Sequence, residues 1–88
     1  MYRLESATVF YGSHPYKMNV TGLDTISTSP NPEWVAARIA PHMGALGYDE
    51  VERRMTIEVV PGYHFDDLTI PERIVAHGNG FNVTWVTV

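Results

Sequence analysis

The chain predicts an α+β fold forming a single domain over residues 1–88, and three observations carry that prediction. One segment, Asn31 to Leu46, has the apolar spacing of a helix. The other apolar runs are rich in β-branched and aromatic residues and alternate like strands. Eighty-eight residues suffice for one hydrophobic core and not for two. The expected architecture is a four- to five-stranded, mainly antiparallel sheet with one kinked helix, about 32–46, packed on one face. A short second helix at about 70–77 is weighed against a strand there.

The start of the main helix is the best-marked boundary. Asn31 is a capping residue, Pro32 suits the first helical position, and Glu33 favours the positive end of the helix dipole. Val35, Ile39, Met43 and Leu46 recur on one face with Trp34 flanking them, whereas Glu33 and Arg38 lie off that line. Pro41 would remove a hydrogen bond and clash with the carbonyl of Ala37, at about 3 kcal/mol in a straight helix, so a kink or break is expected near Ala40.

Before the helix, Tyr2–Tyr11 reads as a strand whose alternation falters at Ser6 and Ala7. Gly12 to Pro15 supplies a turn, and Tyr16, Met18 and Val20 alternate with polar residues in the second arm of a hairpin. Residues 22–30 read as a partly extended connector. After the helix, Val51, Met55, Ile57 and Val59 fall on one face of a strand predicted over residues 51–60. Thr69 and Glu72 have capping-box spacing and slightly favour the helix at 70–77, while Asn79–Gly80 signals a hairpin and favours a strand at 74–76. Phe81 to Val88 is a strand without a charged residue, which needs a place inside the sheet or a partner to cover it.

Composition and charge narrow the function. A chain 44% hydrophobic and 18% charged can bury enough surface to fold end to end. Its net charge is −4, and the six Lys and Arg residues are scattered, which argues against binding a phosphate backbone. Without cysteine there is no disulfide, thiolate nucleophile or cysteine-ligated zinc. Neither a secretory signal nor a membrane-length apolar run is seen, so no membrane association and a cytoplasmic location are expected, and the Asn-Val-Thr triplets at Asn19 and Asn82 read as strand residues.

Chemistry-bearing residues gather at two turns. His64 with Asp66 and Asp67 is the best arrangement for a metal or for acid–base work, but no second histidine stands at helical spacing, so no metal, cofactor or catalytic residue is assigned. His42 and His77 read as structural histidines. Ser13 beside His14 lacks the glycine-flanked elbow of a nucleophile, and Gly78-Asn79-Gly80 lacks the glycine and lysine of a phosphate loop. What remains is an aromatic, histidine-bearing rim, Tyr11, His14 and Tyr16 at one turn and Tyr63, His64 and Phe65 at the other, with Asp66 and Asp67 adding selectivity for a basic partner. The expected function is a small protein-binding module that occupies another protein's surface, as accessory inhibitors of phages and mobile elements do. Its runners-up are a metal-dependent hydrolase centred on His64, Asp66 and Asp67, and a structural subunit or homodimer assembled through Phe81–Val88.

Overall fold

The computed structural model describes residues 1–44, 46–60, 64–65, 68–69 and 72–87, the pairs 64–65 and 68–69 by backbone alone. In chain order the elements are β1 (Tyr2–Tyr11), β2 (His14–Lys17), β3 (Thr25–Ile26), α1 (Pro32–Ile39), a 3-10 turn (Ala40–His42), α2 (Tyr48–Arg53), β4 (Thr56–Val60), β5 (His64–Phe65), β6 (Leu68–Thr69), β7 (Arg73–Gly78) and β8 (Phe81–Thr87). The main sheet has six strands, in the order β2-β1-β8-β7-β4, with β3 sharing the outer edge of β1 with β2. Every pairing is antiparallel, and β5 and β6 form a separate two-stranded sheet. The α+β class expected from the sequence holds, with a sheet one strand larger than its upper expectation.

β8 is the middle strand. Phe81, Val83 and Trp85 face the core at 2%, 0% and 0% exposure, and both hydrogen-bonding edges of the strand are occupied, by β1 and β7. The uncharged terminal strand therefore lies inside the sheet, and any contact with a second copy through it has only side chains to offer. Opposite it, β1 faces the core with Leu4 on Trp85, Ala7 on Val83 and Val9 on Phe81. Strict alternation cannot put residues 4, 7 and 9 on one side. A bulge between Leu4 and Ser6 absorbs the extra residue, Glu5, and resets the register, which explains the faltering pattern around Ser6 and Ala7.

Two-residue turns close the β1–β2 and β7–β8 hairpins. Tyr11 pairs with His14 across Gly12–Ser13, and Gly78 pairs with Phe81 across Asn79–Gly80; Gly12 and Gly80 take φ of 66° and 100°, which a side chain would resist. The second arm of the first hairpin is shorter than expected, since pairing stops at Lys17 and Met18 and Val20 turn into the core instead.

The helical layer covers one sheet face. Asn31 caps α1 by accepting from the Trp34 backbone N–H at 3.2 Å, and Val35, Ala36 and Ile39 are fully buried against the sheet. The regular helix stops at Ile39 and tightens into the 3-10 turn that holds Pro41, the break expected near Ala40. Met43 and Leu46 continue the core stripe beyond it as partly buried residues.

Two expectations are corrected. Residues 51–53 belong to α2 and not to the predicted strand over 51–60, which begins only at Thr56. Asp49 and Glu50 occupy the first turn of α2, and Glu50 pairs with Arg53 at 3.3 Å and Arg54 at 2.8 Å, one helical turn away. Val51 is buried at 1%, so helix and strand put it in the core equally well, and the strand pattern was no guide to its backbone. The short helix at about 70–77 is replaced, over its described part, by β7. Here Ile74 and Ala76 point inward at 1% and 0%, flanked by ladders to β4 and β8, and the Asn79–Gly80 hairpin outweighs the capping-box spacing. Thr69 lies in β6, and Glu72 accepts from the backbone N–H and hydroxyl of Thr87 at 3.0 Å each.

Two substitutions test this packing. Trp85→Phe keeps an aromatic ring but removes the indole N–H that donates to the Leu23 carbonyl at 2.7 Å, and it should lower the unfolding free energy by about 1–3 kcal/mol in urea titrations. A change within experimental error would show that the bond contributes nothing. In Gly78→Ala the new Cβ would come to 2.6 Å from the Phe81 ring and 2.9 Å from the Arg54 carbonyl, so a destabilisation of about 1–3 kcal/mol is expected by the same measurement.

Candidate protein-binding surface

Register places Val9 opposite Tyr16 and Tyr11 opposite His14, so these four residues share the helix-side face of the β1–β2 hairpin. Val9 is covered by the core, but the hairpin runs on past the helical layer. Tyr11 and Tyr16 are therefore left 56% and 52% exposed, and His14 is exposed beside them. Their two rings meet edge to face, with centroids 5.3 Å apart and an interplanar angle of 61°. Such a pair is worth about 0.5–1.5 kcal/mol beyond its buried area, which biases both rings towards this arrangement.

The corner is tied to the helical layer through the 3-10 turn. The Tyr11 hydroxyl donates to the His42 carbonyl at 3.1 Å, and His42 Nε2 lies 3.0 Å from the Asn19 carbonyl, the satisfied structural role expected of that histidine. Beside Tyr11 is an open depression of about 500 Å³, lined by Tyr11, His42, Met43 and by Gly12, Gly44 and Gly80, which leave backbone accessible. Phe10, 40% exposed, lies on the other face of the hairpin opposite Pro15. The site thus joins an apolar ring system, a polarizable thioether and backbone bared at glycines.

Of the residues singled out in the sequence, the structure brings Tyr11, His14 and Tyr16 together. Tyr63, Asp66 and Asp67 lie outside the described residues, and His64 and Phe65 are described only as the backbone of β5, paired with Thr69 and Leu68. The chain leaves β4 at Val60, opposite Arg73, which in turn stands opposite Val86. That is the far end of the sheet from Phe81 and the Tyr11 turn, and β4 and β2 are the two opposite edges. Among the described residues no three His, Cys, Asp or Glu side chains gather into a metal-binding group.

Sequence reasoning missed a second concavity, between α1 and α2. It is an open groove of about 500 Å³ lined by Asn31, Glu33, Trp34, Ala37 and Tyr48. Trp34 is 37% and Tyr48 45% exposed. Asp49 and then Glu33 raise the Tyr48 pKa above 10.0 by Coulombic repulsion of the phenolate, aided by a hydrogen bond to Asp49 and by Glu52. The only signal available in the sequence was that Trp34 sits one position off the core stripe; α2 had to be recognised as a helix before Tyr48 could be placed beside it.

On the uncovered sheet face, Arg73 pairs with Glu5 at 3.6 Å and His77 with Glu58 at 3.5 Å. Exposed pairs of this kind contribute about 0–1 kcal/mol each, and they mark a solvated face and not a site.

No family model, curated protein or solved structure matches this chain. Among the described residues no helix is long and apolar enough to cross a membrane.

The electrostatics of the groove are open to direct titration. Asp49→Asn removes the largest repulsion on the Tyr48 phenolate, so the Tyr48 pKa should fall towards 10.0 when followed by the NMR shift of the ring carbon bearing the hydroxyl. An unmoved titration would place Asp49 away from the phenol. Because the folded-state pKa is raised, the stabilisation linked to the neutral phenol is present below pH 10.0 and lost as pH rises through the folded-state value.

Proposed function

We propose that the protein is a non-catalytic, cytoplasmic protein-binding module that acts, in the manner of a small inhibitor, by occupying a partner protein's surface through the corner formed by Tyr11, His14 and Tyr16. The observation that supports this reading is the exposed edge-to-face tyrosine pair, rings 5.3 Å apart, held at the end of the sheet beside an open depression. Tyrosine gives a large contact area with few rotamers to freeze, and a ring already held by its neighbour loses less entropy on binding. A partner matching this corner offers an apolar or aromatic knob for the depression and polar groups for the accessible backbone. The net charge of −4 favours a basic partner.

A pull-down from host lysate tests it, with mass-spectrometric identification and light scattering on the same preparation. The wild-type bait should retain one partner stoichiometrically. The double variant Tyr11→Ala, Tyr16→Ala should melt as a folded protein but bind at least about tenfold more weakly, in line with roughly 2 kcal/mol for a tyrosine hot spot. Full retention by the double variant would reject the corner as the binding surface. A clean oligomer without a partner would shift the assignment to a self-assembling subunit.

A further inference from the structure

We propose that the outer edge of β4 pairs with the same edge of a second copy, forming a two-fold antiparallel dimer centred on Ile57 in which the two sheets become continuous. This surface does not rest on the tyrosine corner, which lies towards the opposite edge of the sheet, so both can be occupied at once.

The ladder fixes which backbone groups of β4 are free. Gly78 and Phe81 flank a two-residue turn and so form a hydrogen-bonded pair, and the Phe10 N–H donating to the Gly80 carbonyl at 2.8 Å sets the same phase from the β1 side. Counting back along β7 by twos, Ile74 and Ala76 address β8, whereas Arg73, Val75 and His77 address β4. Their partners Val60, Glu58 and Thr56 are thereby engaged, and Ile57 and Val59 direct both N–H and C=O outward. No described strand pairs with that edge. Val59 is 50% exposed and Ile57 is partly buried against the core, so the free peptide groups run beside an apolar flank.

The other edge of the sheet is closed to such pairing. In β2 the same count from Tyr11 and His14 turns Pro15 and Lys17 outward, a residue with no N–H to donate and one whose charge blunts an edge. β4 carries neither device, and its one charged residue is Glu58. Association through β4 therefore stops at a pair, as a two-fold contact of one patch with itself must.

The side chains select the strand's own copy and its register. With Ile57 opposite Ile57 of the second copy, Met55 meets Val59 on the helix side and Glu58 meets Thr56 on the uncovered side. Each Ile57 N–H donates to the other Ile57 carbonyl, and each Val59 N–H to the other Met55 carbonyl; the Met55 N–H is already given to the Glu52 carbonyl at 3.1 Å. Shifting to Ile57 opposite Val59 would make as many hydrogen bonds, but it would set Glu58 directly against itself in the closer, non-hydrogen-bonded type of pair. So short an edge buries less than a standard interface, and dimerisation is expected at about 0.1–1 mM.

Sedimentation equilibrium from about 20 µM to 2 mM tests this, and wild type should pass from monomer to dimer and no further. Val59→Pro deletes an outward N–H without touching the β7 ladder and should weaken dimerisation at least about tenfold. Tyr16→Ala and Glu58→Gln should each leave it within about twofold. Because the chain has no cysteine, Ile57→Cys offers one thiol, which should oxidise to a disulfide dimer at least about tenfold faster than that of Val60→Cys. This comparison decides the matter even if Val59→Pro does not fold. A monomer at every concentration would overturn the proposal and leave the edge to an extended segment of another protein. Equal dimerisation by folded Val59→Pro, equal oxidation of the two cysteine variants, or manyfold strengthening by Glu58→Gln would overturn it as well.

Discussion

The hydrogen bond from the Trp85 indole to the Leu23 carbonyl, 2.7 Å long and spanning 62 positions in the chain, joins the two layers of this fold. Both residues are 0% exposed, so neither polar group has water as an alternative, and separating them would leave a buried donor and acceptor unpaired at about 1–3 kcal/mol. Trp85 stands on the central strand. Leu23 stands on the connector between β2 and α1, whose next residue, Asp24, accepts from the Leu4 N–H at 2.8 Å. The connector then adds β3 to the free stretch of β1 and delivers Asn31 to cap α1. The position of the helical layer over the sheet is thereby set from the middle of β8.

That placement also creates the exposed surfaces. Because α1 gives way to a 3-10 turn at Pro41, the helical layer is shorter than the β1–β2 hairpin, and the hairpin's last helix-side residues are left exposed. Tyr11 reaches back to the turn through its hydroxyl and takes support from Tyr16, while Val9, one pleat earlier, is 3% exposed. At the other end of α1, the short α2 leans on it at Val51, and the space left between their polar sides is the groove of Trp34 and Tyr48. Both concavities are consequences of a broken helix and a very short one covering a longer sheet.

Features governed by neighbours in the chain were legible in the sequence. The Asn31 cap, the break at Pro41, the limits of β1, the start of β8 and its sheltered position all follow from local residue chemistry. So does the cluster of Tyr11, His14 and Tyr16, which a two-residue turn brings together without any help from the rest of the fold. Where local signals conflicted, tertiary pairing decided. Glu72 with Thr69 spoke for a helix, but the ladders on both sides of β7 required a strand, and the alternation through Val51 and Met55 concealed the i,i+4 pairing of Glu50 with Arg54. The arrival of His42 and Met43 beside the hairpin, and the separation of Val60 from Tyr11 to opposite ends of the sheet, depend on chain paths that no spacing rule encodes.

A photo-crosslinking benzophenone amino acid introduced at position 16 or, in a second variant, at Val60 tests most directly whether the tyrosine corner is the binding surface. Both positions are exposed, and they stand on opposite edges and at opposite ends of the sheet. If the corner binds, irradiation in host lysate will give a single crosslinked host protein from position 16 and none from position 60. Host crosslinks confined to position 60, or the same host products from both positions, would contradict it.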